Sequence, residues 1–220
     1  MRTRLPFLAF ILIALAVCSV PELWSHNQDQ TQPSGPAKKD IATLRAHDMH
    51  QDLLVAADPW MKPEDYKPRF GKKTPYDVGI IAIDVYFRND GPQPLRLNLN
   101  TIRLTVSLPG EADQELSPMK PAAVAAAVYD PRLRKPGARR SPIPSGGGSK
   151  QQQELTTALH DAQLSADLIP PKIVVNGLLY FDVDGHFNYI SFSRVFVPDL
   201  APMNTGKPLF FFDVPLGPPK

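Results

Sequence analysis

His47, Asp48, Met49 and His50 form the cluster of side chains in this chain most suited to a metal. Imidazole and thioether suit copper, and imidazole with carboxylate suits zinc. Met61 supplies a further thioether downstream. One reading is a copper or zinc site on His47, Met49 and His50. The other is a set of polar residues that closes a linker ahead of the first strand, since the full His/Met spacing of periplasmic copper carriers is absent. Asp182, Asp184 and His186 alternate around Asp184-Gly185 and have the chemistry for a hard cation or zinc. Asp-Gly is also a strong turn signal, and no calcium-loop length ending in Glu follows. Turn chemistry is the simpler expectation, and no cofactor is expected.

A second group is cationic. Arg132, Arg134, Lys135, Arg139, Arg140 and Lys150 face only Asp130 across a stretch rich in Pro and Gly. Such a loop can meet anionic headgroups or an acidic glycan, or can serve as a solvated, mobile connection. Trp60, Tyr66, Phe70 and Tyr76 are aromatics that either stack on sugars or fold back to plug a sheet edge; the plug is the expectation. Catalytic signatures are missing: no G-x-S-x-G elbow, no phosphate-binding P-loop, no H-E-x-x-H. The chain holds one cysteine, Cys18, so an internal disulfide is excluded. No enzyme is expected.

These residues need elements to position them. Ile81, Ile83, Val85 and Phe87 alternate with Ala82, Asp84, Tyr86 and Arg88, the period of a strand with one face inward. Leu53 to Ala57 precede it as a first strand, and residues 60–74 read as a surface loop. Leu95, Leu97 and Leu99 alternate, then the apolar phase slips to Ile102, Leu104, Val106 and Leu108, which predicts a bulge or bend. Ser117-Pro118 and Ser149 mark two helix starts. The first runs from Ala122 to Tyr129; the second places Leu155, Ala158, Leu159 and Ala162 on one stripe. Strands return with Ile173, Val175, Leu179, Phe181 and Val183 on one face, then a hairpin at Asp184-Gly185 into a strand from His186 to Val197, and a last strand over 209–214. The expected class is mainly β: an antiparallel immunoglobulin-like sandwich of about seven or eight strands with two short helices inserted midway. Ile83, Val85, Phe87, Leu104, Val106, Leu179, Phe181 and Phe212 should face inward.

The N-terminus addresses location. Arg2 and Arg4 precede Leu5 to Val17, an uncharged run shorter than a membrane span, as in a signal peptide over 1–18. Ala14-Leu15-Ala16 offers ordinary cleavage. Leu15-Ala16-Val17-Cys18 resembles a lipobox that would lipidate Cys18, with Val17 departing from the small residue preferred there. Residues 19–50 read as a disordered tether, rich in Gln, Pro, Ser and Lys, and 51–217 as a single domain with a mobile basic loop at 131–148. The chain has 24 Lys+Arg and 22 Asp+Glu, and without Arg2 and Arg4 the two signs balance. A balanced domain argues against nucleic acid as partner.

The strings LLVAADPW, FGKKTPYDVGIIAIDVYFRNDGPQPLRL, IPPKIVVNGLLYFDV and LFFFDV resemble a group of exported bacterial proteins of unknown function. The resemblance covers most of Asp52 to Leu216 and implies an extracytoplasmic β-sandwich, with no activity and no site residues attached. The expectation is a non-catalytic module, secreted or in the periplasm or cell envelope. Its partner would be an envelope protein or glycan, with membrane contact possible through a lipid on Cys18.

Overall fold

The computed structural model describes residues 41–130, 149–204 and 211–218, together with Lys207 and Leu209. The export signal with Cys18, the tether up to residue 40, and the basic loop with Arg132, Arg134, Lys135, Arg139 and Arg140 lie outside the described residues. Within them the chain is mainly β and antiparallel, with three α-helices.

The organising element is β3 (Ile80–Asn89). Its odd-numbered apolar residues, Ile81, Ile83, Val85 and Phe87, are fully buried. Of its other face, Ile80 and Ala82 are also fully buried, while Asp84, Tyr86 and Arg88 are half-buried. One end of β3 is therefore covered on both sides. The strand pairs with β2 (Leu53–Pro59) and β8 (Val174–Asp182), and β1 (Ala46–His50) completes a four-stranded sheet in the order β1-β2-β3-β8. A second four-stranded sheet runs β11-β9-β5-β6, from β5 (Arg103–Val106), β6 (Gln114–Leu116), β9 (Ser193–Val197) and β11 (Phe212–Pro215). A small third sheet joins two-residue strands, β10 (Ala201–Pro202), β4 (Leu95–Arg96) and β7 (Leu168–Ile169).

Two apolar clusters flank the first sheet. The larger joins Val55, Ile83, Val85, Phe87 and Phe181 to Leu104, Val195, Val197, Phe212 and Val214 of the second sheet. The smaller lies on the opposite face, where Ile80, Ala82, Leu178 and Tyr180 meet Tyr66, Phe70, Val124, Leu155 and Leu159 from the helices. Period-two alternation in β3 and β8 thus sends successive side chains into two different cores. All eight residues expected to face inward are buried.

Several expectations need correction. The tether was expected to reach residue 50, but Ala46–His50 form β1. Gln51 and Asp52, at φ 49 and 60, make a two-residue turn of the left-handed kind that matches strand twist. Alternation in β1 is weak because polar residues occupy both faces, which hid it as linker. The stretch 60–74 contains α1 (Pro63–Phe70), with Tyr66 and Phe70 as its buried residues. Pro68 inside it had argued for loop, yet a helix this short loses little by one missing backbone donor near its end. The phase slip at Thr101 is real: a 3-10 turn over Leu99–Thr101 carries the chain from the third sheet to the second. The first inserted helix, α2 (Pro121–Tyr129), begins at Lys120-Pro121 rather than Ser117-Pro118. The second, α3 (Lys150–Ala162), starts as expected, with Ser149 Oγ accepting from the Gln152 amide.

The Asp184-Gly185 turn forms, with φ 50 and 79, but no hairpin follows. The Gly185 amide donates to Gly79 O at 3.2 Å, and a 3-10 segment over Phe187–Phe192 leads to β9 in the other sheet. Turn chemistry bends the chain; it does not decide whether the strands on either side pair. Strand segments among the described residues number eleven rather than seven or eight, because the third sheet is built from two-residue pieces below the reach of periodicity.

Candidate anion-binding pocket on the helical face

The helical layer is fixed by its aromatics. The Tyr66 hydroxyl donates to Trp60 O at 3.0 Å and accepts from the Ala82 amide at 2.8 Å, stitching α1 to β3. Burial pushes its pKa up, the backbone hydrogen bond opposing this. Trp60 packs edge-on to Tyr66, with ring centroids 5.3 Å apart, and Phe70 and Tyr76 pack around the same ring. The four aromatics thus fold back onto the protein as expected, but over the helical face of the first sheet rather than at an edge.

With Tyr66 and Phe70 turned to the sheet, Arg69 lies exposed beside them on α1. Gly71, at φ 78, ends the helix, and the exposed Lys72 and Lys73 follow at once. Asp77 then accepts from both the Thr74 amide at 2.8 Å and the Thr74 hydroxyl at 3.0 Å, which fixes the next turn. Opposite, α2 ends at Tyr129 and α3 begins with Lys150, Gln151 and Glu154 on its outer side.

Between them lies a pocket of about 450 Å³. Phe70, Leu155 and Ala158 give its apolar lining; Arg69, Lys72, Lys73, Gln151 and Glu154 give its polar lining, and Tyr129 offers both. Lys73 Nζ sits 4.7 Å from the centre of the Tyr129 ring, a cation–π contact. Glu154 Oε1 is 3.8 Å from Lys150 Nζ in an exposed pair, which offsets its charge only in part. Among the described residues no ion pair engages Arg69, Lys72 or Lys73. The lining thus carries three cations and one carboxylate beside apolar side chains.

A polar patch missed by sequence lies on the same side of the first sheet. Asp58 on β2 and Asp84 on β3 stand directly opposite each other. Asp84 accepts from the Tyr86 hydroxyl at 2.7 Å and from Asn176 Nδ2 at 3.2 Å. Burial raises its pKa most, the two hydrogen bonds lower it, Asp58 raises it and Arg69 lowers it.

The residues first considered for metal do not converge. His47 and Met49 share one face of β1, while Asp48 and His50 point to the other. The His50 ring stacks on Phe212 at 3.8 Å between centroids, and its Nδ1 is 3.2 Å from Asp48 Oδ1. Asp48 Oδ2 accepts from the Asp213 amide at 3.1 Å, tying β1 to β11. His47 Nδ1 lies 2.7 Å from Leu44 O. Asp182 Oδ1 accepts from the Asp184 amide at 3.0 Å, an Asx-type turn contact, and His186 stacks on Tyr189. Among the described residues, no three His, Cys, Asp or Glu side chains are grouped as a metal would need.

Sequence reasoning missed Arg69, Lys72 and Lys73. The available signal was Arg69-Phe70-Gly71-Lys72-Lys73: a cation beside a buried aromatic, a helix-ending glycine, then two more cations.

Comparison with known proteins adds little. No family model matches the chain, and no curated protein matches it. A crystal structure of a functionally unknown protein from Listeria monocytogenes EGD-e is similar at 13% identity, covering 78% of this chain and 80% of that one, with a TM-score of 0.34. Among the described residues, no helix is long and apolar enough to cross a membrane.

Proposed function

We propose that this chain is a non-catalytic binding module exported to the cell envelope, secreted or held by a lipid on Cys18, whose helical face receives an anionic envelope component. The two facing four-stranded sheets are read as an immunoglobulin-like sandwich, with the helices laid on the outer face of one sheet. The observation that carries the reading is the pocket, where three cations without ion-pair partners among the described residues border an aromatic, partly apolar hollow. Such a site favours retention of a ligand; it offers no nucleophile held by a base. The Arg2/Arg4 start and the uncharged run to Val17 support export.

The test has two arms. Expressed in a bacterium with its own N-terminus, the protein should fractionate outside the cytoplasm, and Cys18→Ser should release it from membranes if a lipid holds it. Purified mature protein should co-sediment with isolated envelopes at low salt and come off as salt rises. Cytoplasmic retention, or envelopes that leave the protein in the supernatant, would refute the proposal.

A further inference from the structure

We infer that the pocket between α1, α2 and α3 takes a phosphate monoester, carried on a small polar group such as a sugar; this deepens the binding-module reading and rests on it. The cations differ in kind. A guanidinium presents a planar fork of donors that can grip two oxygens of one tetrahedral anion, and a lysine ammonium acts as a compact point charge. One Arg69 and two lysines in a single hollow match an anion of nearly two charges better than a carboxylate of one.

Gln151 adds a neutral donor group from the first turn of α3. The one acidic residue in the lining, Glu154, opposes the anion, and its exposed pair with Lys150 at 3.8 Å offsets this only in part. Space argues for a substituted phosphate. About 450 Å³ lies within the range of small-molecule sites and exceeds what a bare phosphate fills. Phe70, Tyr129 and Ala158 give the remaining volume an apolar side, suited to the carbon face of a sugar ring or the glycerol end of a lipid headgroup.

Calorimetric titration of the full mature protein tests this, with inorganic phosphate, glucose 6-phosphate, glucose and acetate as probes. Phosphatidylcholine vesicles with and without phosphatidic acid give a flotation arm. Saturable binding of glucose 6-phosphate, tighter than that of phosphate and competed by it, is expected, with neither glucose nor acetate binding measurably. Vesicle binding that needs phosphatidic acid and is competed by phosphate would assign the same chemistry to a lipid source. Binding should strengthen as pH rises from about 5 to about 7.5, because the phosphate gains its second charge near pH 6. Arg69→Ala should weaken it about tenfold, the loss of one charge-assisted hydrogen bond. Arg69→Lys should fall between Arg69→Ala and the natural protein, and Glu154→Gln should tighten binding. Each variant's melting midpoint shows that it is folded.

Acetate binding as well as phosphate does, affinity indifferent to Arg69 and Glu154, or no saturable binding by any probe would overturn the inference. Envelope binding that persists unchanged in an Arg69→Ala, Lys72→Ala, Lys73→Ala variant would also overturn it. That result also removes the helical face from the proposed function and leaves only export and envelope binding standing, whereas envelope binding lost in the triple variant without any binding of glucose 6-phosphate would fail the phosphate assignment alone.

Discussion

Residue by residue, the sharpest demands fall on β3. Phe87 is fully buried between the two large sheets. Phe87→Ala should cost about 3–5 kcal/mol in chemical denaturation, the range for emptying a buried aromatic site. Tyr66→Phe changes one atom, yet it strands the Ala82 amide, whose residue is fully buried, without its acceptor. It should cost about 1–3 kcal/mol, and equality with the natural protein would show that water or a shifted carbonyl replaces the hydroxyl. Asp84 sets a pH dependence. Its carboxyl is held above the ordinary value by burial first. The folded state therefore keeps a proton that the unfolded state releases near pH 3.9, so this group's contribution falls as pH rises from about 4 through the raised value. Asp213 is shifted in the same direction, again by burial first, and adds the same sign. Asp84→Asn keeps an acceptor for Tyr86 and removes the charge, so the difference in stability between variant and natural protein should grow in the variant's favour over that window. A flat difference would mean that Asp84 is solvated. At this scale the sequence was informative where one face decided burial: Ile83, Val85 and Phe87 were legible. Asp84 was read as plain outward polarity, because its partner Asn176 comes from a strand far along the chain and no local pattern announces it.

At the scale of elements, what matters is how closely backbones approach. Gly177 lies in β8 where an added Cβ would stand 2.5 Å from the backbone of Leu164, just past the end of α3. The Leu164 amide also donates to Leu178 O at 3.0 Å, so the helix end is tied to this strand. Gly177→Ala should push the two apart and cost about 1–3 kcal/mol, as overpacking does, with α3 the first element to loosen in amide exchange. Gly79 makes a similar demand, since its positive φ of 79 and a Cβ distance of 2.3 Å from the Gly185 amide leave no room for a side chain. The helix α3 was legible because its serine cap and apolar stripe agree, and α2 through its apolar spacing and its stop at Asp130, although Ser117-Pro118 is not its start. The helix α1 was not, because its signal was aromatic and its sequence carries two prolines; its role depends on a core that its own sequence does not contain. The pocket was illegible for the same reason: its cations come from α1 and the turn after it, its aromatics from α1 and α2, and its polar wall from α3.

For the whole molecule, the first sheet is a shared wall between two cores. Amide exchange should be slowest in the middle of β3, which is paired on both sides, and fastest in β6, which among the described residues pairs on one side only. Comparable protection in β3 and β6 would mean that the edge at β6 is covered in solution by a partner. The alternation of β3 and the composition of the chain pointed to a β-rich class, and that much the structure shows. The placement of three helices on one face of one sheet was hidden, since nothing local distinguishes a strand face that meets a second sheet from one that meets helices.

Strand β8 has a consequence for the order in which the molecule can be made. Ile80 pairs with Asp182 and Arg88 with Val174, and strands β4 to β7 with helices α2 and α3 all lie between those partners in sequence. Until the last third of the chain is available, β3 lacks one of its neighbours and both apolar clusters lack an essential wall. Pairings so distant delay folding, because the entropy of closing the loop is lost before its contacts form. The first sheet therefore cannot close in its native pairing before about residue 182 has been made.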